Sequence, residues 1–211
     1  MAEITEQEIA GALSRSGYLL EARVEEFLVK SGYGVDANIG YPDPVEGKVR
    51  ELDARAMKGS LIQGRHTVWT TLLIECSNNL QPLALMAKKP PHSISPTAVP
   101  CSGIPTTVES DPVQQRLRLD EFHHYWQGSL ATQFCSFQRK KEKDDWMASH
   151  DEGQWASIKK LGDTLAFDTH ELQQAWEPPR NDEAEPINLT LHYCVLVLQG
   201  SLVEVDARQA R

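Results

Sequence analysis

Polar and apolar positions recur with a helical period from Gly17 to Lys30, in "SGYLLEARVEEFLVKSGYGV". A serine that can cap precedes the run, and "SGYG" follows where a helix should stop. At about 100° per residue, Leu20, Val24, Phe27 and Leu28 form the inward stripe, Glu21 falls at its edge beside Leu28, and Glu26 lies in solvent. The pattern then changes to alternation. Val35, Ala37 and Ile39 predict a short strand, followed by the turn-rich "GYPDPVEGK". In "KVRELDARAMK", Leu52, Ala54 and Ala56 share one face and Glu51, Asp53 and Arg55 the other. In "TVWTTLLIECS", Trp69, Thr71, Leu73, Glu75 and Ser77 share a face opposite Val68, Leu72, Ile74 and Cys76. The glycine-bounded "GSLIQGR" between them predicts an antiparallel hairpin, which sets Asp53 and Glu75 on neighbouring strands about 5 Å apart.

"QPLALMAKK" predicts a further strand. Prolines crowd the stretch at about 90–112, which shows no periodicity and reads as a long excursion. Leu130, Phe134 and Phe137 fall at helical spacing, with Arg139, Lys140, Lys141 and Lys143 after them. A second covering helix is predicted from Ser149 and Glu152 at capping-box spacing, with Trp155, Ile158 and Leu165 along its inner side. "INLTLHYCVLVLQGSLVEVD" reads as a buried strand, a tight turn at Gln199–Gly200 and a shorter returning strand. Helix, strands, loop, helices and strands in that order predict an α/β architecture, a mixed β-sheet flanked by helices.

Composition narrows the class. The 211 residues suit a single domain, 1–211, with one core. A formal charge of -9 argues against coating nucleic acid by bulk electrostatics but permits a local basic groove. Cys76, Cys101, Cys135 and Cys194 are scattered without a Cys-x-x-Cys pair, so neither a zinc ribbon nor a disulfide framework is signalled, and a reducing, cytoplasmic compartment is expected. The start "MAEITEQEIAGALS" lacks the apolar core of a signal peptide, and no apolar run approaches the roughly 18 residues of a membrane helix. His123 and His124 beside Tyr125 and Trp126 lack a third ligand at sensible spacing, and "RKKEKDD" reads as a solvated helix end.

Two carboxylates remain inside strand-like runs. A buried charge needs a partner or a metal to offset desolvation, and Met57, Trp69 and Leu73 on the same face argue against a simply solvated surface. "GYLLEARVEEFLVKSGYGV", "RELDARA" and "LLIECSNNLQPLALM", in that order, resemble the PD-(D/E)xK nuclease superfamily, in particular its restriction-endonuclease-like members. The resemblance covers roughly the first 90 residues. It implies a restriction-endonuclease-like fold, DNA as partner, and a metal-dependent endonuclease acting in restriction, defence or repair, with a homodimer or a partner subunit both compatible. It further implies Mg2+ or Mn2+ held by Asp53, Glu75 and the main-chain carbonyl of Cys76, with Glu21 as a further ligand. Hard cations choose such oxygen ligands. The family's lysine, two residues after the glutamate, is here Ser77, and Arg55, Lys48, Lys58 and Lys88 are the nearby cations that sequence offers. The alternative expectation is a catalytically degenerate nuclease-fold module that binds DNA or protein.

Overall fold

The computed structural model of the chain describes residues 4–43, 46–62, 64, 66–79, 81–88, 129–140, 145–150, 152–175 and 188–206. They fall into two compact units, Met1–Asn79 with Glu152–Gln199, and Leu80–Asp151 with Gly200–Arg211. The proline-rich excursion, Cys101 and the His123–Trp126 stretch lie outside the described residues.

The first unit opens with helix α1 (Glu6–Ser16), in a stretch read from sequence only as polar. Its start is a capping box: Thr5 accepts from the Glu8 amide, and Glu8 accepts in return from the Thr5 amide. Gly17, at φ 90°, takes the left-handed conformation that ends α1 and leads into α2 (Tyr18–Lys30). Of the stripe expected on α2, Leu20 and Leu28 are buried, whereas Phe27 is 68% exposed. The buried band is narrower because the sheet surface beneath is met mainly by Val24 and Leu28.

Strands β1 (Gly34–Pro42), β2 (Val49–Ile62), β3 (His66–Asn78) and β7 (Asn188–Gln199) form a four-stranded mixed sheet in the order β1-β2-β3-β7. β1, β2 and β3 run antiparallel in sequence, so the predicted β2–β3 hairpin is present. β7 lies parallel to β3, from Thr67 opposite Asn188 to Asn78 opposite Gln199. Parallel neighbours need a crossover, and it carries helix α3 (Glu152–Ala175).

Both faces of this sheet are covered. Against α2, Leu28 packs on Ala54, Ala56 and Ile74. On the opposite face Leu161 of α3 packs with Tyr41, Leu52 and Leu73. Each fully buried leucine of this kind stabilises the fold by about 1.5–3 kcal/mol. Leu52 therefore joins the α3 side rather than sharing a face with Ala54 and Ala56, as simple alternation predicts. The change of phase coincides with Asn38, at φ 53°, and with a gap in the β1–β2 ladder where Asn38 would meet Asp53. Asparagine tolerates this left-handed geometry better than most residues.

α3 also departs from expectation. Ser149 does not cap it; that residue ends strand β6 (Asp145–Ser149) and shares a hydrogen bond with Ser136. Its buried residues are Gln154, Leu161 and Thr164, with Leu165 packed alongside, while Trp155 is 57% exposed and Ile158 is exposed too. A lone tryptophan is a strong hydropathy signal, but the phase of this helix is set by Leu161 and small polar residues that make hydrogen bonds inside.

The second unit holds a sheet of order β6-β5-β4-β8, with β4 (Leu83–Lys88), β5 (Leu130–Lys140) and β8 (Leu202–Asp206). The helix expected around Leu130, Phe134 and Phe137 is strand β5, which pairs antiparallel with β4, Phe134 opposite Leu85. Leu130 and Phe134 lie four apart, which suits period 2 as well as period 3.6. Arg139 and Lys140 accordingly end a strand rather than a helix. β8 does not return along β7 as a hairpin; it pairs parallel with β4, so the chain passes from the first sheet to the second at Asn78–Leu83, returns to the first between β6 and β7, and passes to the second again at Gln199–Leu202. No described helix is long and apolar enough to cross a membrane.

Candidate active site

The β2–β3 ladder ends with Ala54 opposite Ile74. One step further that register sets Asp53 level with Glu75, and there the side chain of Asp53 takes over from the backbone: its Oδ2 accepts from the Cys76 amide at 2.7 Å. Glu75 is buried between neighbours on both sides, since β7 continues beside β3 with Leu196 opposite it. The two carboxylates converge on a single cation. Lys160 Nζ lies 2.7 Å from Glu75 Oε1, 2.6 Å from Oε2 and 3.5 Å from Asp53 Oδ1.

Lys160 comes from α3, on the turn between buried Gln154 and Leu161. Gln154 Nε2 donates to Ser77 Oγ at 2.7 Å, and Thr164 Oγ1 donates to the Lys160 carbonyl at 2.8 Å. The helix is thus pinned to the end of β3 by a side-chain hydrogen bond and by Leu161 packing, which presents Lys160 to Glu75. Ser77 stands where the resemblance expects lysine; α3 engages that serine through Gln154 and brings Lys160 to the two carboxylates.

The electrostatics follow from this crowding. Burial pushes the Glu75 carboxyl above its ordinary range; the Lys160 hydrogen bond opposes this and Asp53 and Glu21 add to it. Burial pulls Lys160 down, yet Glu75 and Asp53 outweigh it and its pKa ends raised. Glu21 is likewise raised, first by burial and then by Asp53 and Glu51. Burial, with Asp53, Glu21 and Glu75 close by, pushes the Cys76 thiol up to about 12, which leaves it a neutral packing group. One ammonium thus faces a surplus of carboxylates, the condition under which a further cation is attracted.

Of the residues singled out from sequence, Asp53, Glu75, Cys76 and Ser77 meet at one end of β2 and β3. Glu21 stands on α2 and, with Tyr18, Asn38, Asp53 and Cys76, lines a cleft of about 170 Å³ beside them. Asp53 therefore borders both Lys160 and the cleft. Among the described residues no group of three or more His, Cys, Asp or Glu side chains is arranged to hold a metal, so Glu21 is near the pair without closing a three-ligand set. The oxygens that are gathered suit a hard cation, and the Lys160 ammonium already stands among them as one.

The cations offered by sequence serve elsewhere. Lys48 pairs with Glu46 at 3.2 Å, and Lys58 donates to the Ser31 carbonyl at 2.8 Å and lies over the Tyr33 ring. Lys88 ends β4 in the second unit. Arg55 sits 3.4 Å from Asp36 and 3.7 Å from Asp168, and Asp168 also lies 3.9 Å from His192 Nε2. An inner side drawn through Trp155, Ile158 and Leu165 does not bring Lys160 to the carboxylates; of those three only Leu165 packs inward. The available signal was the line Lys160, Thr164, Asp168 at i, i+4, i+8, a polar row running beside Leu161 and Leu165. No protein-family model matches the chain, and neither a curated protein nor a solved structure is significantly similar to it.

Proposed function

We propose that the first unit is a restriction-endonuclease-like, metal-dependent nuclease domain that hydrolyses phosphodiester bonds in DNA. The observation that carries this reading is the Lys160 ammonium at 2.6–2.7 Å from Glu75 and 3.5 Å from Asp53. Aspartate, glutamate and lysine are the three groups the sequence resemblance requires, and the lysine missing at Ser77 is supplied from α3.

In this reading Asp53 and Glu75 would hold Mg2+ or Mn2+, with the Cys76 carbonyl as a further oxygen and Glu21 on the cleft side. Such an ion would supply charge neutralisation at the phosphate and a lowered pKa for a bound water. Asp53 Oδ2 stays oriented by the Cys76 amide, which leaves Oδ1 to face the cation. Lys160, its pKa raised, acts as a permanent cation and not as a general base; it donates to the attacking water or to the phosphate oxygen that gains charge. The water oxygen would bond to phosphorus and give up a proton to solvent, the bond to the leaving deoxyribose oxygen would break, and that oxygen would take up a proton from solvent, so that one water is added overall. Gln154 and Ser77 hold α3 in register.

The test is cleavage of plasmid and single-stranded DNA in Mg2+ and in Mn2+ by wild type, Asp53→Asn, Glu75→Gln and Lys160→Met. Asp53→Asn keeps an oxygen acceptor for the Cys76 amide, so lost activity in it reports on charge rather than on folding. Loss in all three variants is expected. Equal cleavage by wild type and variants assigns the activity elsewhere. No cleavage under any condition favours the other reading, a silent DNA- or protein-binding module, to which the charge of -9 also inclines.

A further inference from the structure

The oxygens that the proposed function assigns to a divalent ion are the ones Lys160 already occupies. Its ammonium contacts both oxygens of Glu75, and its distance to Asp53 Oδ1 puts it between the two carboxylates rather than to one side. Asp53 Oδ2 is engaged by the Cys76 amide. Both oxygens of Glu75 lie within 2.7 Å of that ammonium, so an ion bound between them would take the place the lysine holds.

We propose that the site is a cation-exchange site, in which Lys160 and a divalent metal compete for Glu75, so that loading the metal ejects the lysine arm and makes its ammonium available to the scissile phosphate. The inference rests on the nuclease reading and deepens it: one residue is both the counter-ion of the metal-free site and the phosphate donor of the loaded one.

The surroundings favour movement of the arm and not of the helix. The α3 backbone is fixed on either side of Lys160 by the Gln154–Ser77 hydrogen bond and by buried Leu161. The Lys160 side chain itself is 23% exposed, so a path toward solvent is open to it. Its charge is retained after release, since a compact ammonium on a flexible four-carbon stem is readily rehydrated. The surplus of carboxylates (Glu21, Asp53 and Glu75 against one lysine) means that a divalent ion replaces a monovalent one with a gain in neutralisation.

The test measures Mn2+ binding by calorimetry at pH 8, where carboxylates are ionised, for wild type, Lys160→Met and Asp53→Asn. The ammonium signals of the protein are followed in parallel by proton–nitrogen NMR during Mg2+ titration. Exchange predicts roughly 10- to 100-fold tighter Mn2+ binding in Lys160→Met, the factor that removal of one charge-assisted hydrogen bond represents. It also predicts that the Lys160 ammonium signal, identified by its loss in that variant, shifts saturably with Mg2+. Equal or weaker binding in Lys160→Met, or a static Lys160 signal while metal binds wild type, overturns the exchange and leaves the nuclease reading standing. Failure of wild type and Lys160→Met alike to bind Mn2+ overturns both. Lys160→Arg, which removes the ammonium signal and keeps the positive charge, gives the same assignment where the methionine variant is unstable, so the NMR arm does not depend on that variant.

Discussion

Replacing Lys160 by methionine retains most of the side-chain length and removes its charge. The side chains of Glu75, Asp53 and Lys160 are 9%, 18% and 23% exposed, so the pair is neither a surface ion pair nor a fully sealed one. Removing one partner of a buried pair costs about 3–5 kcal/mol because the other charge is left without compensation, whereas exposed pairs contribute about 0–1. The remaining exposure places Lys160→Met near the lower end, at about 3 kcal/mol. Glu75→Gln leaves Asp53 as a weaker partner for the lysine and costs about 2 kcal/mol. The double variant leaves neither charge stranded, so its cost falls below the sum by about 2 kcal/mol. Urea denaturation of the four proteins at pH 7 measures the cycle. For a chain of this size, 3 kcal/mol corresponds to a Tm loss of about 6–12 °C. Strict additivity, with each single change below about 1 kcal/mol as for surface pairs, would show that Lys160 does not rest on Glu75 in solution, and the site built around it would fall.

Three other outcomes are expected. The Glu75 carboxyl, raised by burial, takes up a proton as pH falls at a value above the ordinary glutamate range; its side-chain 13C resonance should titrate there, and higher still in Lys160→Met, since Lys160 is what opposes the rise. Leu161→Ala removes the α3 side of the cluster with Tyr41, Leu52 and Leu73, and should cost about 2–5 kcal/mol in urea denaturation while loosening the helix that carries Lys160. His192 is lowered first by burial, Asp168 opposing and Arg55 adding; its contribution is present above its unfolded pKa and is lost as pH falls through the folded one. His192→Gln should therefore flatten the fall in Tm between pH 7 and the acid side. An unchanged slope would show that His192 is not held neutral.

What could be read in advance depended on how far apart the deciding residues lie. The α2 helix and the β2–β3 hairpin rest on neighbours within a few positions, and their periods are unambiguous, so Asp53 and Glu75 could be placed on adjacent strands. Leu130, Phe134 and Phe137 suit two periods, and only pairing with β4 makes the segment a strand. The division into two sheets was invisible because β7 and β8 look like a hairpin until their partners, β3 and β4, are known. Lys160 is the clearest case. Its role depends on Gln154 meeting Ser77 and on Leu161 reaching the sheet, contacts that span the Leu80–Asp151 part of the second unit in sequence. A serine at position 77 reads as the loss of a cation; in the fold it accepts a hydrogen bond from the helix that carries Lys160.

The interleaving of the two units bears on when the site comes into being during synthesis. Asp53 and Glu75 are translated early, but Lys160 follows Glu75 by 85 positions, and β7, which flanks β3, is complete only at Gln199. Until then the emerging chain holds two facing carboxylates with no counter-charge, whose repulsion and desolvation oppose closure of that end of the sheet. Contacts of such long sequence separation also form slowly. On the proposed reading a ribosome-bound fragment is inert, and hydrolytic competence appears in one late step when α3 and β7 dock, so a host making this protein meets no partly assembled enzyme.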